Sequence, residues 1–152
     1  MTTTFVTRET ARDALTSLFT TSAKWQKVFG YIPTENDIGG QSPFLVVVSN
    51  GTRQEMAGQN ANKSTYYFSC STWVRMSDED LGGSFGFDDA EDLLDALDKE
   101  FRQVIRNTVM LDSGKAIINF ADGQSSTGTN DLYKVLYRVE TYMVSVVYPS
   151  GS

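Results

Sequence analysis

The order and length of the apolar segments constrain this chain most. A short amphipathic stretch at about 8–22 comes first, and a continuous apolar run follows, Phe44-Leu45-Val46-Val47-Val48. An alternating segment runs from Tyr66 to Arg75, and a strongly amphipathic one covers about 88–107. The chain closes on a long stretch of β-forming residues, Tyr133 to Tyr148. Each helix has one apolar stripe to bury, and each half-buried strand has one apolar face. The economical solution is a single layered domain over 1–152. It is an α+β fold with a mixed or antiparallel sheet, two main helices packed on one face, and a long C-terminal strand.

In the first helix Ala11, Leu15, Leu18 and Phe19 recur at helical spacing, and Thr7 suits the N-cap. The helix at 88–107 carries the stripe Leu93, Leu94, Leu97, Phe101, Val104, Ile105. Its acids crowd the start and its bases the end, which complements the helix dipole. Phe44 to Ser49 reads as a central strand covered on both sides. Asn50-Gly51 is a tight-turn pair, which suggests a return over 52–57. In the alternating segment Tyr66, Phe68, Cys70, Thr72 and Val74 form the expected core face, leaving Tyr67 and Trp73 on the other. Large aromatics there imply a covering helix or another subunit. Ala116 to Phe120 reads as a short strand. Thr34–Pro43, Gly58–Lys63, Asp78–Gly86 and Asp122–Asp131 read as polar loops or turns.

The last stretch is unusual. Tyr133, Val135, Tyr137 and Val139 share one face, and beyond Thr141 the apolar residues switch phase to Tyr142, Val144, Val146 and Tyr148. The switch fits a β-bulge, a bend between two strands, or a distal part buried on its opposite face. A strand of that length spans roughly 50 Å, well beyond the usual roughly 20 Å. One reading sends its distal end to a neighbouring subunit.

The chain contains no histidine, which removes His–Ser and His–Cys catalytic pairs and the commonest zinc ligand sets. The single cysteine, Cys70, excludes an intrachain disulfide, and its place in an alternating strand suits a small buried apolar residue. A net charge of -6 and scattered bases disfavour binding to a phosphate backbone. Mean hydropathy is -0.28, and no run approaches the length needed to span a bilayer. The first residues lack the pattern of a signal peptide, so folding in a cytoplasm is expected. The acids at 78–80 and 88–92 lack metal-loop spacing and read as solvated surface and helix cap. Gly39-Gly40 and Gly82-Gly83 match no phosphate-loop motif. Phe85 and Phe87 border the second of these, and either tuck onto the core or anchor a partner.

The chain runs from an N-terminal helix to a strand ending in Leu45-Val46-Val47-Val48. It continues with a Tyr/Phe-rich strand with Trp73-Val74-Arg75, an acidic-to-basic amphipathic helix, and Leu136-Tyr137-Arg138-Val139-Glu140-Thr141-Tyr142. In pattern, size and acidic character this resembles the tail terminator proteins of long-tailed bacteriophages, the family of the lambda minor tail protein U, over roughly 8–148. The resemblance implies a virion protein assembled in the host cytoplasm. It would form a homo-hexameric ring that caps the tail tube, meets the tail tube protein and later receives the head–tail connector, or stopper. It implies no enzyme activity, no cofactor, no metal, no membrane and no sequence-specific nucleic acid, with DNA free to pass through the ring. Interface candidates are Asp37, Gly39, Gly40, Trp73, Phe85, Phe87, Tyr142, Val144, Val146 and Tyr148. The alternatives are a head-side stopper ring, a ligand-binding α+β module with a large closed apolar pocket, and a small hydrolase using carboxylates such as Glu35 and Asp37.

Overall fold

The computed structural model describes residues 7–56, 62–76, 87–108, 110–111 and 116–148. The elements are α1 (Arg8–Ser22), β1 (Lys27–Phe29), α2 (Glu35–Ile38), β2 (Phe44–Met56), β3 (Asn62–Arg75), α3 (Phe87–Asn107), β4 (Met110–Leu111), β5 (Ala116–Leu132) and β6 (Val135–Tyr148). They form an α+β fold around one six-stranded mixed sheet, ordered β1-β2-β3-β6-β5-β4. Among the described residues only β1 and β2 pair in parallel; the other neighbours are antiparallel.

α1 starts where the Thr7 hydroxyl accepts the Thr10 N–H, and it ends at Ala23 in the left-handed conformation, whose N–H reaches the Thr20 carbonyl. Its Ala11, Leu15 and Phe19 are buried. α3 buries Leu94, Leu97, Phe101 and Ile105, and Leu93 and Val104 pack at the margin. Both helices lie on one sheet face, over Leu45, Val47, Tyr66, Phe68, Cys70 and Val74. At the centre the Phe101 ring is stacked between Phe19 (centroids 4.7 Å apart) and Tyr142 (4.0 Å). The Trp25 indole N–H donates to the Thr72 hydroxyl beneath them at 3.2 Å. Burial pushes the Cys70 thiol well above its ordinary pKa, so it stays protonated and serves as packing.

The last strand corrects three expectations. β6 has no bulge against β3: the register runs unbroken from Arg75↔Tyr137 to Ser64↔Tyr148. The apolar residues change face while the strand continues. Tyr137 and Val139 point away from the helices, and Tyr142, Val144, Val146 and Tyr148 point toward them. The last four are at most 1% exposed in their own chain, so they form the core and are not an interface. The distal half of β6 is therefore not a strand lent to a neighbour. It is needed at home because it sits between β3 and β5 under α3.

Three polar segments expected as loops or turns are more ordered. Asp122–Asp131 belongs to β5, which pairs with β6 up to Leu132↔Val135. The hairpin closes through Tyr133 and Lys134, both at positive φ (52° and 64°), the two-residue geometry that matches strand twist. Asn50-Gly51 does not turn the chain. It marks a register shift inside β2, with Gly51 at φ 122°, and β2 continues to Met56. Within Thr34–Pro43 lies the single turn α2, closed by a reciprocal capping box between Thr34 and Asp37.

Candidate functional site

Two surfaces collect the unusual residues. The first is the sheet face opposite α1 and α3. Phe29 of β1, Ile38 of α2, Phe44 and Val46 of β2, and Tyr137 and Val139 of β6 are buried there as a second apolar cluster. Half-buried Trp73 stacks on Phe44 (centroids 5.9 Å, rings 5° apart), and Tyr137 meets both rings edge-on at 5.6 and 5.4 Å. The double burial of β2 produces this cluster, because Leu45 and Val47 face the helices while Phe44 and Val46 face α2. Trp73 thus packs between Phe44 of β2 and Tyr137 of β6, on the face opposite the N-terminal helix. Its indole Nε1 is buried with no hydrogen-bond partner among the described residues, although such a donor costs about 1–3 kcal/mol when left unmade.

The rim of this face is apolar and exposed: Tyr31 is 53%, Ile32 72% and Tyr133 43% exposed. The Tyr133 hydroxyl donates to the Pro33 carbonyl at 2.9 Å, which ties the β5–β6 hairpin to the segment before α2. Asp37 is exposed and holds this segment in shape. Its carboxylate accepts the Thr34 N–H at 3.1 Å, and that bond, with lesser help from the Thr34 and Tyr31 hydroxyls, keeps its pKa below the ordinary value. Gly39 and Gly40 end α2 at φ 54° and 78°, where a Cβ would be strained. Asp37, Gly39, Gly40 and Trp73 therefore lie around one face. Phe85 lies outside the described residues, and Phe87 opens α3.

The second surface lies beside the C-terminal half of α3. A groove of about 930 Å³ runs between α3 and the start of β5, lined by Asp98, Lys99, Arg102 and Arg106 on one side and by Ile117, Ile118 and Asn119 on the other. Beneath its wall is a polar network inside the helix-facing layer. The Tyr142 hydroxyl donates to Asp98 Oδ1 at 2.7 Å, and Arg102 Nε donates to the same oxygen at 2.9 Å. The Ser125 hydroxyl donates to Glu140 Oε1 at 2.8 Å. Glu140 is 7% exposed and is not among the groove's lining residues. Farther along β6, Arg138 pairs with Glu91 of α3.

Burial raises the Glu140 carboxyl above the ordinary carboxylate range, Ser125 opposes this, and the neighbouring Asp98 adds to the rise. A group whose folded-state pKa is raised contributes stability below its unfolded value and loses it as pH climbs through the folded one. Glu140→Gln keeps the shape and cannot ionise. Melting curves should show the variant gaining on the wild type as pH rises from the ordinary 4.5 toward neutrality, and the two converging in acid. A gap that does not change with pH would contradict this origin.

Sequence reasoning missed this network and the aromatic cluster around Tyr137. A signal for the network was present: Glu140 interrupts the even-numbered series that continues as Tyr142, Val144, Val146. Glu35 and Asp37 do not form a cleft pair; both lie in the first turn of α2 and are exposed. Among the described residues no three His, Cys, Asp or Glu side chains converge as a metal site, and no helix is long and apolar enough to cross a membrane. No protein-family model and no curated protein matches the sequence.

Proposed function

We propose that this chain is a structural, non-enzymatic ring protein of a long-tailed bacteriophage: a tail terminator. Six copies would close on the end of the tail tube, stop its growth and present a surface to the head–tail connector. The observation that carries this reading is the pair of open edges on one sheet. β1 covers β2 only at Phe44–Val46, and β4 covers β5 only at Ala116–Ile117. Among the described residues the remaining outer edges of both long strands have no paired strand. Such edges invite further strands, and soluble proteins ordinarily blunt them. Two different open edges on opposite sides of a sheet suit head-to-tail assembly, which closes into a ring when the rotation allows. The apolar rim of Tyr31, Ile32 and Tyr133 adds an exposed contact surface on a third side.

The carboxylate pair does not favour a hydrolase. Asp98 and Glu140 are engaged by Tyr142, Arg102 and Ser125, and Glu140 is buried away from the groove. The groove is not a closed apolar pocket, because Lys99, Arg102 and Arg106 line it. A head-side stopper ring would share the fold and differ in its partner. Growing tail tubes separate the two. Added protein should halt tube elongation at a few copies per tube end, and fixed tube lengths are the expected result. Tubes that lengthen unchanged, while the protein binds the portal–adaptor complex, would overturn the terminator reading in favour of the stopper.

A further inference from the structure

Along α3 the residues Asp88, Asp92, Asp95, Lys99, Arg102 and Arg106 are separated by alternating steps of four and three, so they share one face of the helix. All six are exposed, and their order is three acids followed by three bases. The helix dipole accounts for charge within the first and last turns. Asp95 and Lys99 lie in the middle, beyond that range. The basic half borders the groove against β5, and Lys99 and Arg106 have no ion-pair partner among the described residues. The acidic half likewise leaves Asp88, Asp92 and Asp95 without a cation among the described residues, and only neighbouring Glu91 is paired, with Arg138. In a chain of net charge -6, three bases gathered at one groove are a local inversion of the surface charge.

We propose that this basic groove receives the acidic half of α3 from a second copy of the same chain, head to tail. The inference rests on the ring reading and names the contact between its subunits. Charge complementarity chooses the occupant: among the described residues, the exposed acidic stripe matched in spacing to the bases lies on the same helix. The groove also runs along Ile117 and Ile118, where β5 passes beyond its pairing with β4, so a copy seated there lies beside an outer edge of β5 that has no paired strand among the described residues. Exposed ion pairs contribute little singly, and they set orientation and encounter rate more than affinity. An interface built on them is sensitive to salt.

Two full-length variants test it, Lys99→Glu/Arg106→Glu and Asp92→Lys/Asp95→Lys. Arg102 is left intact because it holds Asp98. The changes are on exposed positions, and unchanged melting verifies the fold. Sedimentation in low salt should show wild-type mass rising with concentration beyond two copies and returning to the monomer at high salt. Each variant alone should remain monomeric, because like charges then meet. Their equimolar mixture should regain masses beyond two copies, because each variant's groove then faces an opposite stripe on the other. A wild type that stays monomeric in low salt overturns the proposal, as does a variant that associates unaided or a mixture that stays monomeric. Growth that stops at two copies overturns the head-to-tail arrangement in favour of antiparallel α3 pairing. Saturation of the wild type by inorganic phosphate without self-association makes the groove a small-anion site and overturns it too. Tube elongation, measured on the same wild-type protein, is read separately: rescue by mixing without capping would retain this interface and remove the terminator reading, and capping by a protein that fails the mixing test would do the reverse.

Discussion

Phe101→Ala should cost about 3–5 kcal/mol of folding stability, the range for truncating a fully buried aromatic. The ring is 0% exposed and stacked between Phe19 of α1 and Tyr142 of β6, so one side chain joins both helices to the sheet. The Trp25 ring also meets it edge-on at 6.5 Å. Removal opens a space that three rigid rings cannot fill by rotation, so the upper end of the range is expected. Because native domains hold only about 5–15 kcal/mol, the variant should melt far below the wild type. Denaturant unfolding checks it, and a loss under about 1 kcal/mol would mean that the stack is not the keystone of the helix layer.

Val146→Asp should be as damaging or worse, with a loss of more than about 4 kcal/mol, a size reserved for buried charges and large cavities. Val146 is 0% exposed on β6, paired to Tyr66 on one side and Ile118 on the other. A carboxylate there has no cation within the apolar cluster, so it must either ionise at high cost or keep its proton. Its folded-state pKa is then raised, and stability is lost as pH rises through that value. The variant should be partly rescued in acid. A free monomer of normal stability at neutral pH would show that the distal half of β6 is not in its own core.

The elements that secure the fold were legible because they are strongly periodic. The α3 stripe, the double coverage of the Phe44 run and the inward set Tyr66, Phe68, Cys70, Val74 need only spacing and hydropathy. The phase switch in β6 was visible too. Burial of its distal part on the opposite face was among the readings and is what the structure shows. The sequence could not choose it over a bulge or a bend, because it requires cover on both sides of one sheet, and the small cover α2 is a single turn. Asp122–Asp131 reads as loop from its Gly, Ser, Thr and Asn content, and only pairing with β6 makes it strand. The turn that joins them carries Tyr133 and Lys134 where sequence signals expect Asn and Gly. Local chemistry was likewise misleading at Asn50-Gly51, where the same pair that closes hairpins is absorbed as an irregularity in a long strand. Of the interface candidates, Tyr142, Val144, Val146 and Tyr148 were drawn from strand length. Burial places them in the core, whereas Trp73, Asp37, Gly39 and Gly40 lie around the sheet face opposite α1 and α3.

Electron microscopy of tail tubes grown with this protein tests the central claim most directly. The terminator account predicts a single six-fold ring seated on one end of each arrested tube, with no further tube protein beyond it. Tubes whose ends stay bare at saturating protein would contradict it.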